Sequence, residues 1–126
     1  MKLLRSLNAS HIDFNGFAGV IPSNPKFLPS DLDMILERRD CFLVGEWKRS
    51  GEEMSYGQLM LLKSLARQSQ FIVLIISGNT DDETVVTDIR WVTPSGRLKL
   101  IGSSFEELRN FIVRWYKWAE RNKDVF

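Results

Sequence analysis

The run Phe71-Ile72-Val73-Leu74-Ile75-Ile76, closed by Ser77-Gly78-Asn79, most narrows what this chain can fold into. Its apolar residues do not alternate with polar ones, so an element made from them is buried on both sides. The run is far too short to cross a bilayer. A doubly buried strand needs a layer on each face, and the flanking segments can supply both. Ser55 opens a helical pattern whose apolar face holds Leu59, Leu61, Leu62, Leu65 and Ala66. Ser104 caps a second helix, with Glu107 at the capping-box position and Phe105, Leu108, Phe111, Ile112, Trp115 and Trp118 along one face. Strands are expected over residues 31–38, 41–48 and 70–77, then over 85–92 and 97–101 around Thr93-Pro94-Ser95-Gly96. The expected order is ββαβββα, an α/β domain on one mixed sheet flanked by helices.

A length of 126 residues suits a single domain over 1–126, of which 1–29 is poorly defined. Asn15-Gly16, Gly19, Pro22, Pro25 and Pro29 punctuate that opening, which predicts loop with one short element at most. Net charge is +1, so overall electrostatics do not announce a nucleic-acid binder, although a neutral total can hide a basic face. Cys41 is the lone cysteine; no intramolecular disulfide can form, which fits a reducing cytosol. The opening Met-Lys-Leu-Leu-Arg-Ser-Leu lacks an apolar region long enough for a secretory signal. The expectation is a soluble cytoplasmic protein with no membrane partner.

The ionisable residues of 31–48 are the informative ones. If 31–38 and 41–48 pair as an antiparallel hairpin about Arg39-Asp40, Asp33 faces Glu46 and Asp31 faces Lys48. Side chains alternate along strands, so all four share one face with Ile35 and Val44, while Leu32, Met34, Leu36, Leu43 and Trp47 take the other. Arg39-Asp40 lacks the favoured Asn-Gly chemistry, which leaves a slightly longer loop open. Directly opposed carboxylates repel, and a divalent cation between them reverses the sign of that interaction. Two carboxylates with carbonyl and water oxygens suit Mg²⁺ or Mn²⁺. Structural zinc would have only Cys41 and His11. One histidine supports no Ser/His/Asp or Cys/His constellation, and no Gly-rich phosphate loop occurs. Lys48, one pleat from Glu46, is placed to orient an attacking water or offset phosphate charge.

Asp33, followed thirteen residues on by Glu46-Trp47-Lys48, resembles the D…ExK core of the PD-(D/E)XK nuclease superfamily. Ser30-Asp31-Leu32-Asp33, the hairpin, and Gly57-Gln58 opening a helix are most similar to small phage-type members, akin to virus-type replication-repair nucleases and Holliday-junction resolvases. The resemblance covers residues 31–77. It implies a restriction-endonuclease-like core, with Asp33 and Glu46 as metal ligands, Lys48 as the catalytic lysine and Gln58 near the metal. Asp31 has no settled role in the pattern. The literal Pro-Asp is absent, since Pro29 stands apart from the aspartates. No glutamate precedes Glu37, so the N-terminal acid that many members supply is missing or replaced by Asp13. The expected activity is Mg²⁺- or Mn²⁺-dependent DNA cleavage, selective for branched or junction DNA, by a homodimer, with a phage or host accessory protein as a further partner. The alternative is a non-catalytic nucleic-acid-binding or assembly module on the same fold.

Plainer readings compete at each residue. Residues 30–39 also suit a helix capped by Ser30, which would spend Asp33 on a backbone amide. Ser55-Tyr56-Gly57-Gln58 is itself a capping box, which explains Gln58 without a metal. Glu46 and Lys48 alone would be an ordinary exposed pair. His11 reads as structural or solvated, and Asp81-Asp82-Glu83 as a solvated turn. Lys48-Arg49, Arg38-Arg39 and Lys63 with Arg67 are either solvated positive residues or phosphate contacts. Trp115 and Trp118 read first as sheet-packing residues, and second as a dimer or base-stacking surface.

Overall fold

The computed structural model describes residues 13–49 and 51–122, and the chain divides into two compact units, Met1–Asp31 and Leu32–Phe126. In the first unit the turn-forming residues act as expected. One 3₁₀ turn spans Asn15–Phe17, Asp13 Oδ1 accepts from the Asn15 N–H at 2.9 Å, and the Gly19 N–H donates to the Pro25 carbonyl at 2.8 Å. Asp13 therefore serves a local turn. His11 lies outside the described residues.

The second unit carries five strands, β1 (Met34–Arg38), β2 (Cys41–Lys48), β3 (Phe71–Asn79), β4 (Val85–Val92) and β5 (Leu98–Gly102), and two helices, α1 (Tyr56–Ala66) and α2 (Phe105–Glu120). The sheet order is β1-β2-β3-β4-β5. Only β2 and β3 are parallel; every other neighbouring pair is antiparallel. A parallel pair needs a crossover, and α1 provides it. The result is a small α/β protein with a mixed five-stranded sheet. No helix among the described residues is long and apolar enough to cross a membrane.

The central run behaves as its composition requires: Val73, Leu74 and Ile76 are 0 % exposed. Alternation divides the core in two. Leu43, Leu74, Ile76 and Ile89 pack with Leu108, Trp115 and Ala119 of α2. Val44, Val73, Ile75 and Val92 pack with Leu62 and Ala66 of α1. Burying these side chains contributes about 1.5–3 kcal/mol each, which outweighs the weak preferences of any single residue.

Three sequence expectations change in detail. The apolar stripe of α2 runs through Leu108, Phe111, Ile112, Trp115 and Ala119, whereas Phe105 and Trp118 lie at its exposed margins. At about 100° per residue, Phe105 and Trp118 fall just outside opposite edges of the arc that the other five occupy. Leu61 is half-buried rather than part of the α1 cluster. The first strand begins at Met34 and not at Asp31, so Leu32 leaves the expected alternation and packs on the α1 side. A helix over 30–39 does not form.

The hairpin turn is the short form. Arg38 pairs with Cys41, and Arg39 and Asp40 both take positive φ, 51° and 61°. Non-glycine residues resist this conformation by about 1–2 kcal/mol each. Local bonds offset part of that cost. Glu37 Oε2 accepts from the Asp40 N–H at 3.0 Å, and Arg39 and Asn122 exchange hydrogen bonds between the turn and the end of α2.

Candidate active site at the ends of the parallel strands

The ladder pairs Met34 with Gly45 and Ile35 with Val44. The ladder ends at that Met34–Gly45 pair, so Asp33 lies one residue beyond it and the expected Asp33–Glu46 pair is not part of the ladder. Asp33 is not itself a ladder residue. Its Oδ2 accepts from the Trp47 N–H at 2.9 Å, taking the donor that continued pairing would have given to a β1 carbonyl. Aspartate disfavours strands and competes for backbone donors, so the ladder stops there. Asp31 is exposed at the end of the first unit, and the expected Asp31–Lys48 pair is not part of the ladder.

Glu46 is 5 % exposed, the one buried charged residue among those described. It lies on the α1 face of β2, in the ladder pair with Ile75. Gln58, in the first turn of α1, donates from Nε2 to Glu46 Oε1 at 3.0 Å. The backbone N–H of Gln58 donates to Ser55 Oγ at 3.2 Å. The cap and the contact with Glu46 thus coexist. Ser55 takes the backbone group, and the glutamine side chain reaches across to β2 rather than back to the cap.

Lys48 is half-buried at the end of β2, on the same face as Glu46. It borders two cavities. One, of about 520 Å³, lies beyond the C-terminal ends of β2 and β3 and is lined by Asp33, Trp47, Lys48, Arg49, Asn79 and Asp81 among others. Crevices at this end of parallel strands are where open α/β sheets bind ligands. The other, about 220 Å³, is lined by Lys48, Glu52, Ser77, Thr87, Asp88 and Arg90 among others. Gly78 sits where β3 slips register against β4. Its φ is 153°, and a Cβ there would stand 1.9 Å from the Val85 carbonyl oxygen, so only glycine fits.

Arg49 and Asp81 form a two-pronged ion pair across the larger cleft, at 2.9 and 3.0 Å. Its hydrogen bonds to Arg49 hold the Asp81 carboxyl below its ordinary value. The acidic loop is thus tied to β2 through Asp81. Arg38 pairs with Glu120, and Arg38-Arg39 sits at the hairpin tip, the far end of β2 from Lys48-Arg49. The basic pairs therefore do not form one continuous patch.

Sequence reading missed Asp88 and Arg90. Both lie on the α1 face of β4: Asp88 pairs with Ser77, which pairs with Lys48, and Arg90 pairs with Ile75, which pairs with Glu46. A signal was present in the sequence. Asp88-Ile89-Arg90 repeats the acid-apolar-base pattern of Glu46-Trp47-Lys48 with the same spacing.

Together these features define a small α/β protein whose parallel strand pair ends in a charged cleft and whose second strand carries a buried carboxylate. No protein-family model, no curated protein and no solved structure matches the chain.

Proposed function

We propose that the chain is a Mg²⁺- or Mn²⁺-dependent endodeoxyribonuclease of the small PD-(D/E)XK type, acting on branched or junction DNA. The observation that carries this reading is the bond from Gln58 to the buried Glu46, on a hairpin that puts Asp33 one residue beyond its Met34–Gly45 pair. An ordinary surface acid would not be buried under a helix and given a dedicated side-chain donor. The succession of hairpin, crossover helix and buried parallel strand over β1 to β3 supports the same reading.

The donor chemistry fits a hard cation, being oxygen throughout. Among the described residues no three Asp, Glu, His or Cys side chains converge as a closed metal cage. Mg²⁺ ordinarily binds through one or two carboxylates and completes its shell with water and substrate phosphate. Asp33 and Glu46 are the residues assigned to hold it. When bound, the cation supplies a low-pKa water and positive charge for the phosphate oxygens. Gln58 fixes the orientation of Glu46. Lys48 offers its ammonium to the scissile phosphate or to the attacking water. A domain this small presents little surface to DNA, which favours a homodimer with two sites, with or without an accessory protein.

The test is to incubate wild type and Lys48→Ala with supercoiled plasmid, linear duplex, single strands and a four-way junction, each with Mg²⁺, Mn²⁺ or EDTA. Metal-dependent cleavage by wild type that is lost in the variant is the expected result. Binding of the junction without cleavage under any condition would instead favour a non-catalytic binding or assembly module.

A further inference from the structure

We infer that Asp88 is a positioning residue for Lys48: its carboxylate is placed to receive the Lys48 ammonium above Ser77, on the sheet face that carries Glu46. The starting observation is an unsatisfied group. Asp88 Oδ1 is buried and has no hydrogen-bond partner, and such a group in a folded protein calls for a donor. Lys48 lines the same 220 Å³ cavity and takes part in no ion pair or hydrogen bond among the described residues.

The sheet brings the two within reach. Lys48, Ser77 and Asp88 form one cross-strand row over β2, β3 and β4. Two strand spacings separate the end residues by about 9.6 Å. A lysine stem spans about 6 Å and an aspartate about 3 Å, so rotation of the two side chains can bring their charged ends together over the middle strand, where they form no ion pair among the described residues as they stand. What stands there decides whether they can. Ser77 is small and leaves the gap open. In the neighbouring row Ile75 fills the equivalent gap between Glu46 and Arg90. Register slips at Ser77/Gly78 and at Ile89/Arg90 bracket Asp88, and bulges of this kind re-aim side chains beside functional sites.

The other charged groups of the cavity are less suited. Glu52 already accepts the Arg49 N–H through Oε1 at 2.9 Å. Arg90 is exposed and lies beyond Ile75, in the row of Glu46. Lys48 is half-buried and lines the same cavity as Asp88.

The test has two arms, and only the kinetic arm rests on the nuclease reading. In the first, thermal melts compare Asp88→Asn in wild-type and Lys48→Met backgrounds, without metal or DNA. The expected result is a fall of about 3 °C in the wild-type background and no fall, or a rise, in Lys48→Met, where the carboxylate has lost its partner. The same shift in both backgrounds would overturn the proposal. In the second, Asp88→Asn and Ser77→Val are each expected to lower kcat at least tenfold with KM unchanged. Neither should add to the loss in Lys48→Met, and Asp88→Glu should recover part of the rate. Ser77→Val separates positioning from structure, because a β-branched residue suits the strand yet closes the gap. Wild-type rates in both Ser77→Val and Asp88→Asn would sink the inference. If wild type cleaves no DNA at all, the nuclease reading fails, and the melting arm still decides the Lys48–Asp88 relationship.

Discussion

Gln58 on α1 donates its side-chain amide to Glu46 Oε1 on β2 at 3.0 Å, so the helix that crosses between the parallel strands also orients the buried carboxylate of β2. Replacing Gln58 with leucine keeps the helix and its Ser55 cap, since the cap uses the backbone N–H. It removes one donor from a carboxylate that is 5 % exposed. Urea denaturation should show a loss of about 1–3 kcal/mol, the cost of weakening a buried acceptor's satisfaction.

Asp33 has one observed bond, from the Trp47 N–H, and one proposed role at a cation, and two substitutions separate them. Asp33→Asn retains an oxygen acceptor for the Trp47 N–H but loses the charge assigned to the cation. Asp33→Ala loses both. In EDTA, Asp33→Asn should melt close to wild type, and Asp33→Ala should be less stable by about 1 kcal/mol. With Mn²⁺, wild type should gain stability through binding to the folded state, by about 2.7 kcal/mol at one hundred times Kd. Neither variant should gain as much. An equal rise in Tm for all three would remove Asp33 from the metal site.

The turn at Arg39-Asp40 offers a gain. Both residues hold positive φ, yet Arg39 is bonded to Asn122, which makes Asp40 the better position to change. Asp40→Gly should raise stability by about 0.5–1 kcal/mol, because glycine adopts the left-handed region without steric cost and loses some of that gain to its greater chain entropy. Equilibrium unfolding reads the sign directly.

Glu107 gives the start of α2 a pH dependence. Its carboxylate accepts from the Ser103 N–H at 3.1 Å and from the Ser104 hydroxyl at 3.1 Å, and these bonds, the backbone one foremost, hold its pKa below the ordinary 4.5. A depressed carboxylate pKa stabilises the folded state above the unfolded value, and that contribution fades as pH falls through the folded value. Glu107→Gln should therefore lower Tm modestly at pH 7, and the difference should close in melts below the usual carboxylate range. A difference that stays constant down to pH 2 would mean the charge is irrelevant there.

The sequence by itself determined the large elements of this protein. The FIVLII run could only be a strand buried on both sides, and helical apolar faces before and after it supplied the two covering layers. The hairpin register followed from the spacing about Arg39-Asp40, because alternation with a period of two fixes which residues share a face. The same alternation put Glu46 and Lys48 on one face, as the ladder has them. Tertiary structure decided what those side chains do. Ser55-Tyr56-Gly57-Gln58 reads equally as a complete capping box or as a cap with a spare side chain, and only the packing of α1 against β2 directs Gln58 to Glu46. Asp33 read as a strand residue until the Trp47 N–H, supplied by a strand fourteen residues away, ended the ladder at Met34. Asp88 meets the row of Lys48 only because β3 lies between β2 and β4. Local pattern encodes which way a residue faces; its partner is set by chain segments brought together from far apart, which local pattern does not contain.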